Sequence, residues 1–140
     1  MKANELIVGD WVYSAFAEHP CKVEGIEWTE SEYAYVKISG VDGYKCIESL
    51  SSILLTPEIL EKNGFIKQGP DGWEYIHPND STFSYIGYRI LWRTDYDNHL
   101  FIKKYKGSNT FATLQISYIN FVHQLQQALR LCGIEKEIVL

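Results

Sequence analysis

The chain has 140 residues, of which 46% are hydrophobic and 22% are charged, and its formal net charge is −5 at pH 7. This composition is typical of a soluble globular protein and excludes a disordered tail. The charge is uneven, because residues 1–55 hold four basic and nine acidic side chains while residues 56–140 hold nine of each. An acidic first half disfavours non-specific binding of nucleic acid there.

The first 55 residues predict a run of short strands separated by turns. Ala34, Val36 and Ile38 alternate with aromatic and charged residues, which is the period-two pattern of a strand that buries one face. Strands this short, at this spacing, predict a small β-barrel-like unit at 1–55. Their order is similar to that of the Src-homology-3-like barrels.

Residues 56–65 predict a short helix at 57–63 that joins two units. Thr56 can cap its N-terminus, Pro57 suits the first helical position, and Gly64 suits the residue after its end. A helix of barely two turns is not stable alone. We therefore expect it to pack between the two halves.

Residues 56–140 predict an α+β unit in which antiparallel strands are followed by one long helix at 118–132. At helical spacing the apolar residues of this segment form one stripe, with Gly133 in place for a left-handed end. The opposite, solvated side of the helix is expected to hold Asn120, His123, Gln124, Gln126, Gln127 and Arg130. The whole chain is thus predicted as an α+β fold, with the helix covering one face of an antiparallel sheet.

No catalytic motif is found in the sequence. It has no Gly-x-Ser-x-Gly elbow, no glycine-rich phosphate loop and no His-Glu-x-x-His pair. A cysteine nucleophile would require Cys21 or Cys46 to meet His19 through the fold. We therefore predict no catalytic residues, no cofactor and no enzymatic activity.

A metal site is the exception that the sequence leaves open. Asp95, Asp97 and His99 alternate along one segment, so an extended backbone would place two carboxylates and an imidazole on one face. Such a set could hold a divalent ion in a small metal-dependent enzyme. Asp and Asn are also what a hairpin turn needs for backbone reasons alone.

Aromatic residues are abundant, with ten Tyr, six Phe and four Trp. Tyr33 and Tyr35 alternate with the aliphatic residues of their strand, so their rings are expected on the opposite face. They belong to an aromatic set that also holds Trp11, Tyr13, Trp28 and Tyr44. Of this set, Trp11, Tyr13, Tyr33 and Tyr35 predict a surface that binds a protein partner or a second copy of the chain. The alternative is that these rings cover the joint between the two halves.

A basic and aromatic segment in the second half predicts a second kind of partner. Its cations are Arg89, Arg93, Lys103, Lys104 and Lys106, interleaved with tyrosines and Trp92. Such a set could stack bases and hold phosphates of a nucleic acid. A solvated sheet face, on which lysines guard an edge, explains the same pattern.

The cysteines and the N-terminus indicate the compartment. There are three cysteines and no CxxC pair, which is typical of a reducing environment. Charged residues interrupt the N-terminus early, and no stretch approaches the roughly 20 apolar residues that span a bilayer. We expect a cytoplasmic protein with no membrane partner.

Four motifs resemble a set of uncharacterised proteins from Bacteroides-type gut bacteria, often carried on phages and other mobile elements. They are Lys2-Ala-Asn-Glu-Leu6, Gly9-Asp-Trp-Val12, Leu55-Thr-Pro-Glu-Ile-Leu-Glu-Lys-Asn-Gly-Phe65 and Val122-His-Gln-Leu-Gln126. The motifs touch both halves, so the resemblance covers the whole chain. It implies no reaction and no site residues.

These observations lead to one functional prediction and two alternatives. The first is a non-enzymatic protein-interaction or assembly module. The alternatives are a nucleic-acid-binding accessory protein of a phage or mobile element and a small metal-dependent enzyme.

Overall fold

The computed structural model describes residues 3–29, 33–78, 86–94, 98–106 and 109–140. These residues form two five-stranded antiparallel sheets and a helix near the C-terminus, which confirms the predicted α+β class. The chain divides into two compact units, Met1–Leu54 with Phe121–Gln127 and Leu55–Asn120 with Ala128–Leu140. Sequence reasoning placed the C-terminal helix entirely in the second half, whereas its first turns cluster with the first unit.

The first unit contains a five-stranded sheet that follows a 3-10 turn at Ala3–Glu5. Its strands are β1 (Trp11–Ser14), β2 (Cys21–Trp28), β3 (Ala34–Ile38), β4 (Tyr44–Cys46) and β5 (Leu50–Ser52), with a 3-10 turn at Ile47–Ser49. They lie in the order β4-β3-β2-β1-β5. A bulge between Val23 and Gly25 bends β2.

The first sheet is open in the part of the chain that the structure describes. β5 pairs with β1 and not with β4, so no ladder closes the strands into the barrel that the sequence predicts. Both β4 and β5 are only three residues long, which leaves little backbone with which to complete a ring.

The inner face of this sheet holds the core of the first unit. Along β3 the side chains of Ala34, Val36 and Ile38 are buried, while Tyr35 and Lys37 are exposed, as the alternation predicts. Val12 and Val23 are buried against them. Each buried valine or isoleucine side chain contributes roughly 1.5–3 kcal/mol through its removal from water.

The second unit begins with the short helix α1 (Pro57–Lys62). The Thr56 hydroxyl accepts a hydrogen bond from Ile59 N, and Pro57 takes the first helical position. Gly64 has φ of 80°, the left-handed conformation that ends a helix at low cost only for glycine. Phe65 N then donates to Leu60 O at 3.0 Å.

The sheet of the second unit is a simple meander. Its strands are β6 (Ile66–Gln68), β7 (Gly72–Pro78), β8 (Ile86–Arg93), β9 (His99–Lys106) and β10 (Asn109–Ile116), each paired with the next. Ile90, Trp92, Leu100 and Ile102 are buried on its inner face. The indole N–H of Trp92 donates to Ile119 O at 3.0 Å, so this buried polar atom has a partner.

Helix α2 spans Val122–Leu131 and starts four residues later than predicted. Tyr118 has φ of 63°, which no helical residue adopts, and Phe121 forms an isolated bridge with Leu54. The Gln124 carboxamide accepts from Phe121 N at 3.2 Å, so the side chain of the third helical residue caps the N-terminus. At the other end Gly133 has φ of 69°, as predicted.

In the described part of the chain, no helix is long and apolar enough to cross a lipid bilayer. The three cysteines, at 21, 46 and 132, are all free thiols.

Candidate functional site

The outer face of the first sheet carries two tyrosine rings on neighbouring strands. Tyr35 of β3 has Glu27 of β2 and Cys46 of β4 as its cross-strand partners. One row further along, Lys37 stands between Gly25 and Tyr44. Tyr35 is 40% exposed and Tyr44 is 43% exposed, so both rings meet solvent although they stand on a packed sheet.

Tyr44 is held in place by its neighbours. Its hydroxyl donates a hydrogen bond to the Glu27 carboxylate, which raises the pKa of Tyr44 above its ordinary value. The same hydroxyl lies 3.6 Å from where a Cβ at Gly25 would stand, so the ring crosses β3 and its end lies over the bulge in β2.

Tyr33 extends this surface. It stands two residues before Tyr35, and strand alternation places it on the same face. Its ring is 57% exposed, and its carbonyl accepts hydrogen bonds from both the N–H and the hydroxyl of Thr29. We call the surface made by Tyr33, Tyr35, Tyr44, Glu27 and Lys37 the tyrosine face.

Trp11 and Tyr13 share the outer side of the sheet but not the tyrosine face. Trp11 is level with Lys22 in the ladder, and the Lys22 ammonium lies 5.0 Å from the centre of the indole. Tyr35 is level with Glu27, which lies further along β2 than Lys22. Tyr35 itself is on β3, whereas Trp11 is on β1, the strand on the other side of β2. At about 3.3 Å per residue over the five residues from Lys22 to Glu27 and about 4.8 Å for each of two strand spacings, Trp11 and Tyr35 are roughly 19 Å apart. The predicted set of four aromatic residues is therefore two separate patches.

A buried polar cluster lies elsewhere in the first unit, and sequence reasoning missed it. His123 and Gln126 were expected on the solvated side of the helix, yet they are 2% and 4% exposed, and Asp10 is fully buried. The Gln126 carboxamide accepts from Trp11 N at 3.1 Å and donates to Gly9 O at 3.3 Å. The expectation of a fully solvated glutamine face was wrong because the segment before β1 covers it.

Asp10 is the charged member of this cluster. One of its carboxylate oxygens, Oδ2, accepts from Ile7 N at 3.0 Å and from the Gln127 carboxamide at 2.6 Å. Gln127 also donates to Glu5 O. The cluster thus joins the Gly9-Asp-Trp-Val12 motif to the Val122-His-Gln-Leu-Gln126 motif, which no spacing in the sequence could have shown.

His123 is the titratable base of the cluster. Burial lowers its pKa, and the carboxylates of Asp10 and Glu5 act in the opposite direction. Its Nδ1 is buried and has no hydrogen-bond partner, and its ring stacks on Phe121 with centres 5.7 Å apart. A carboxylate and an imidazole are groups that general acid–base catalysis uses, but both side chains are enclosed by protein, which favours a structural role.

The thiols that could have served as nucleophiles are held in their protonated form. Cys21 is buried, its thiol donates to the backbone carbonyl of His19, and burial raises its pKa. The Cys46 thiol donates to the Glu48 carboxylate, and this hydrogen bond raises its pKa. Since the thiolate is the nucleophilic species, neither cysteine is activated by its surroundings.

The basic residues of the second sheet are divided between its two faces. Arg89 and Lys103 are cross-strand partners on the outer face, and Arg93 follows Arg89 at an interval of four. Lys104 alternates onto the opposite face, and the Lys106 side chain lies outside what the structure describes. The Arg89 guanidinium pairs with the Glu74 carboxylate at 2.5 Å, so part of the positive charge is neutralised.

The predicted metal ligands can be followed only in part. Asp95 and Asp97 lie outside the described residues, and His99 begins β9 with its ring 6.0 Å from that of Phe101. Among the residues that are described, no three acidic, histidine or cysteine side chains are grouped as a metal would require.

No protein-family model, no curated protein and no solved structure matches this chain.

Proposed function

We propose that this protein is a non-enzymatic protein-interaction module whose partner binds the tyrosine face of the first unit. The observation that supports this proposal is the contrast along β3. Val36 and Ile38 are at most 1% exposed, whereas Tyr35 keeps 40% of its surface in water and has exposed tyrosines on both sides. Rings that the core does not use are available to a partner.

Tyrosine suits such a role for physical reasons. Its ring offers a large contact area, its hydroxyl can hydrogen-bond, and it has few rotatable bonds to immobilise on binding. The hydrogen bond from Tyr44 to Glu27 fixes one of these rings before any partner arrives. A ring that is already ordered loses less conformational entropy on binding.

The charges around the rings favour a basic partner segment. Lys37, the cation of the tyrosine face, lies 3.8 Å from the Glu24 carboxylate, and Glu27 stands beside Tyr35. Residues 1–55 carry nine acidic against four basic side chains. A partner segment with lysine or arginine next to an apolar or proline-rich stretch would complement this surface.

We further infer that the first unit is related to the small Src-homology-3-like barrels, with its sheet left open between β4 and β5. Two features support this inference. β5 returns after a 3-10 turn to pair with β1, which places the first strand inside the sheet, and the bulge in β2 coils the sheet. Barrels of this kind bind peptides on aromatic surfaces.

A peptide selection tests the proposal. A library of displayed random peptides is selected on the immobilised protein, and the affinity of the enriched peptides is measured by calorimetry. We expect Tyr35→Ala to weaken binding at least tenfold, since exposed aromatic anchors dominate such contacts. Tyr13→Ala is the matched control, because Tyr13 is equally exposed but lies in the other aromatic patch.

Two results would contradict the proposal. The first is that the enriched peptides bind Tyr35→Ala as tightly as the wild type. The second is that Tyr35→Ala lowers the free energy of unfolding by more than about 1.5 kcal/mol, beyond what a surface substitution costs. That second result would assign the ring to the core.

Nucleic-acid binding, as in an accessory protein of a phage or mobile element, is the second candidate. It is favoured by Arg89 and Lys103 standing side by side on the outer face of the second sheet. Anisotropy of a labelled single-stranded DNA at low salt distinguishes the two proposals. Binding that falls steeply with salt, and that Lys103→Ala weakens more than Lys104→Ala, would favour this candidate.

A further inference from the structure

One edge of the second sheet differs from every other sheet edge in the described residues. The strands β4, β5 and β6 are each three residues long, and two of them carry a lysine. β10 is eight residues long, from Asn109 to Ile116, and contains no charged residue, no proline and no glycine. Short length, lysine and bulges are the usual protections of a sheet edge against pairing with another chain. β10 has a bulge between Thr110 and Ala112, but its regular part, 112–116, is longer than the other edge strands and carries no charge.

The apolar inner face of the sheet continues onto this edge and ends there uncovered. Ile90, Ile102 and Leu114 form one row across β8, β9 and β10. The first two are at most 3% exposed, whereas Leu114 is 39% exposed. In the next row Trp92 and Leu100 are buried, while Ile116 is only partly so. Both rows therefore end at β10, with no further strand beside it in the described part of the chain.

We propose that β10 is a dimerisation edge that pairs antiparallel with β10 of a second copy of this chain. The bulge between Thr110 and Ala112 interrupts the strand, which leaves 112–116 as its regular part. With Leu114 on the two-fold axis, Ala112 would pair with Ile116 of the partner subunit, so each half-exposed apolar group would meet another. Roughly four to six new backbone hydrogen bonds would form.

The occupant is a second copy because this strand is complementary to itself. An uncharged edge gives no ion pair to a charged peptide, whereas antiparallel self-pairing places Leu114 opposite Leu114 of the partner subunit. Two-fold pairing also closes the assembly, because the outer edges of the joined sheet are then the two β6 strands. These are short and carry Lys67, which disfavours further growth.

A five-residue ladder buries less surface than a stable dimer needs, which is above about 1,000 Å². We therefore expect a weak dimer with a dissociation constant in the range of roughly 10 μM to 1 mM. This inference is independent of the proposed function, because Leu114 lies in the second unit and the tyrosine face in the first.

Sedimentation velocity of the full chain from about 10 μM to 1 mM tests this proposal. The wild type should shift from monomer towards dimer, and Leu114→Lys should weaken the association at least tenfold, since it places two cations opposite each other. Leu131→Lys is the matched control, because Leu131 is an exposed leucine at the end of α2, and it should dimerise as the wild type does.

A charge-swap experiment separates loss of pairing from loss of folding. Leu114→Lys and Leu114→Glu should each be monomeric alone, and an equimolar mixture should recover dimer, because opposite charges then meet on the axis. A wild type that stays monomeric at 1 mM would overturn the proposal. Dimerisation unaffected by Leu114→Lys, or a mixture that recovers no dimer, would do the same.

Discussion

Replacement of Gln126 by methionine measures how strongly the buried polar cluster stabilises the first unit. Methionine has nearly the length and volume of glutamine, so Gln126→Met retains packing while it removes two hydrogen bonds, from Trp11 N and to Gly9 O. The loss of these bonds, with two partly buried backbone groups left unpaired, costs roughly 3–4 kcal/mol. Burial of the apolar methionine side chain offsets about 1 kcal/mol of this.

The expected net loss is about 2–3 kcal/mol in the free energy of unfolding. Urea denaturation followed by circular dichroism should therefore show a lower midpoint with an unchanged slope, and Tm should fall by roughly 6–9 °C. The control is Gln68→Met, in which the same substitution is made at an exposed position and should cost less than about 0.5 kcal/mol. If the two variants were equally stable, the carboxamide of Gln126 would not be holding the segment before β1.

Three further outcomes follow from other residues. Burial lowers the pKa of His123 in the folded state, so the folded protein binds fewer protons than the unfolded chain once the pH falls below about 6.5. Stability should decrease there by at most roughly 1.4 kcal/mol per pH unit. Urea titrations at pH 7.5 and 5.5 should show a smaller difference in the free energy of unfolding for His123→Leu than for the wild type, and an equal difference would contradict this reasoning. The carboxamide of Asn63 donates to Val139 O at 2.8 Å and accepts from Val139 N at 2.9 Å. Asn63→Ala should therefore raise the rate of amide hydrogen exchange at Val139 well above the wild-type rate. Equal rates would show that this side chain does not hold the C-terminal segment in place. Gly64 has φ of 80°, so Gly64→Ala should cost about 1–2 kcal/mol of stability because alanine disfavours this left-handed conformation. A Gly64→Ala variant as stable as the wild type would contradict this reasoning. Gly72→Ala would destabilise the chain for a different reason, since a Cβ there would lie 2.8 Å from Gln68 O.

Local features of the fold could be predicted because they depend on neighbours in sequence. Thr56, Pro57 and Gly64 mark the ends of α1 by hydrogen-bonding and backbone geometry within a few residues. The buried and exposed residues of β3 follow from the two-residue period of a strand. The end of α2 at Gly133 follows from the left-handed conformation that glycine adopts most easily. The start of α2 could not be predicted in this way, since Phe121 is drawn into a bridge with Leu54, which is distant in sequence.

The candidate sites could be predicted only in part, because a surface patch depends on strand order and register. The sequence identified Tyr33 and Tyr35 as lying opposite the aliphatic residues, but gave no means of placing Glu27 and Tyr44 beside them. It also grouped Trp11 with these tyrosines, although the ladder between β1 and β2 places Trp11 level with Lys22.

By itself the sequence determined the α+β class, the short helix, the alternating strands and the aromatic richness, since each depends on composition or on spacing along the chain. The tertiary structure alone decided that Asp10, His123 and Gln126 are enclosed together and that the uncharged strand β10 stands at an edge. The physical reason is that burial of a polar group and pairing of a strand depend on which distant segment packs beside it. Periodicity describes one segment at a time and carries no information about that neighbour.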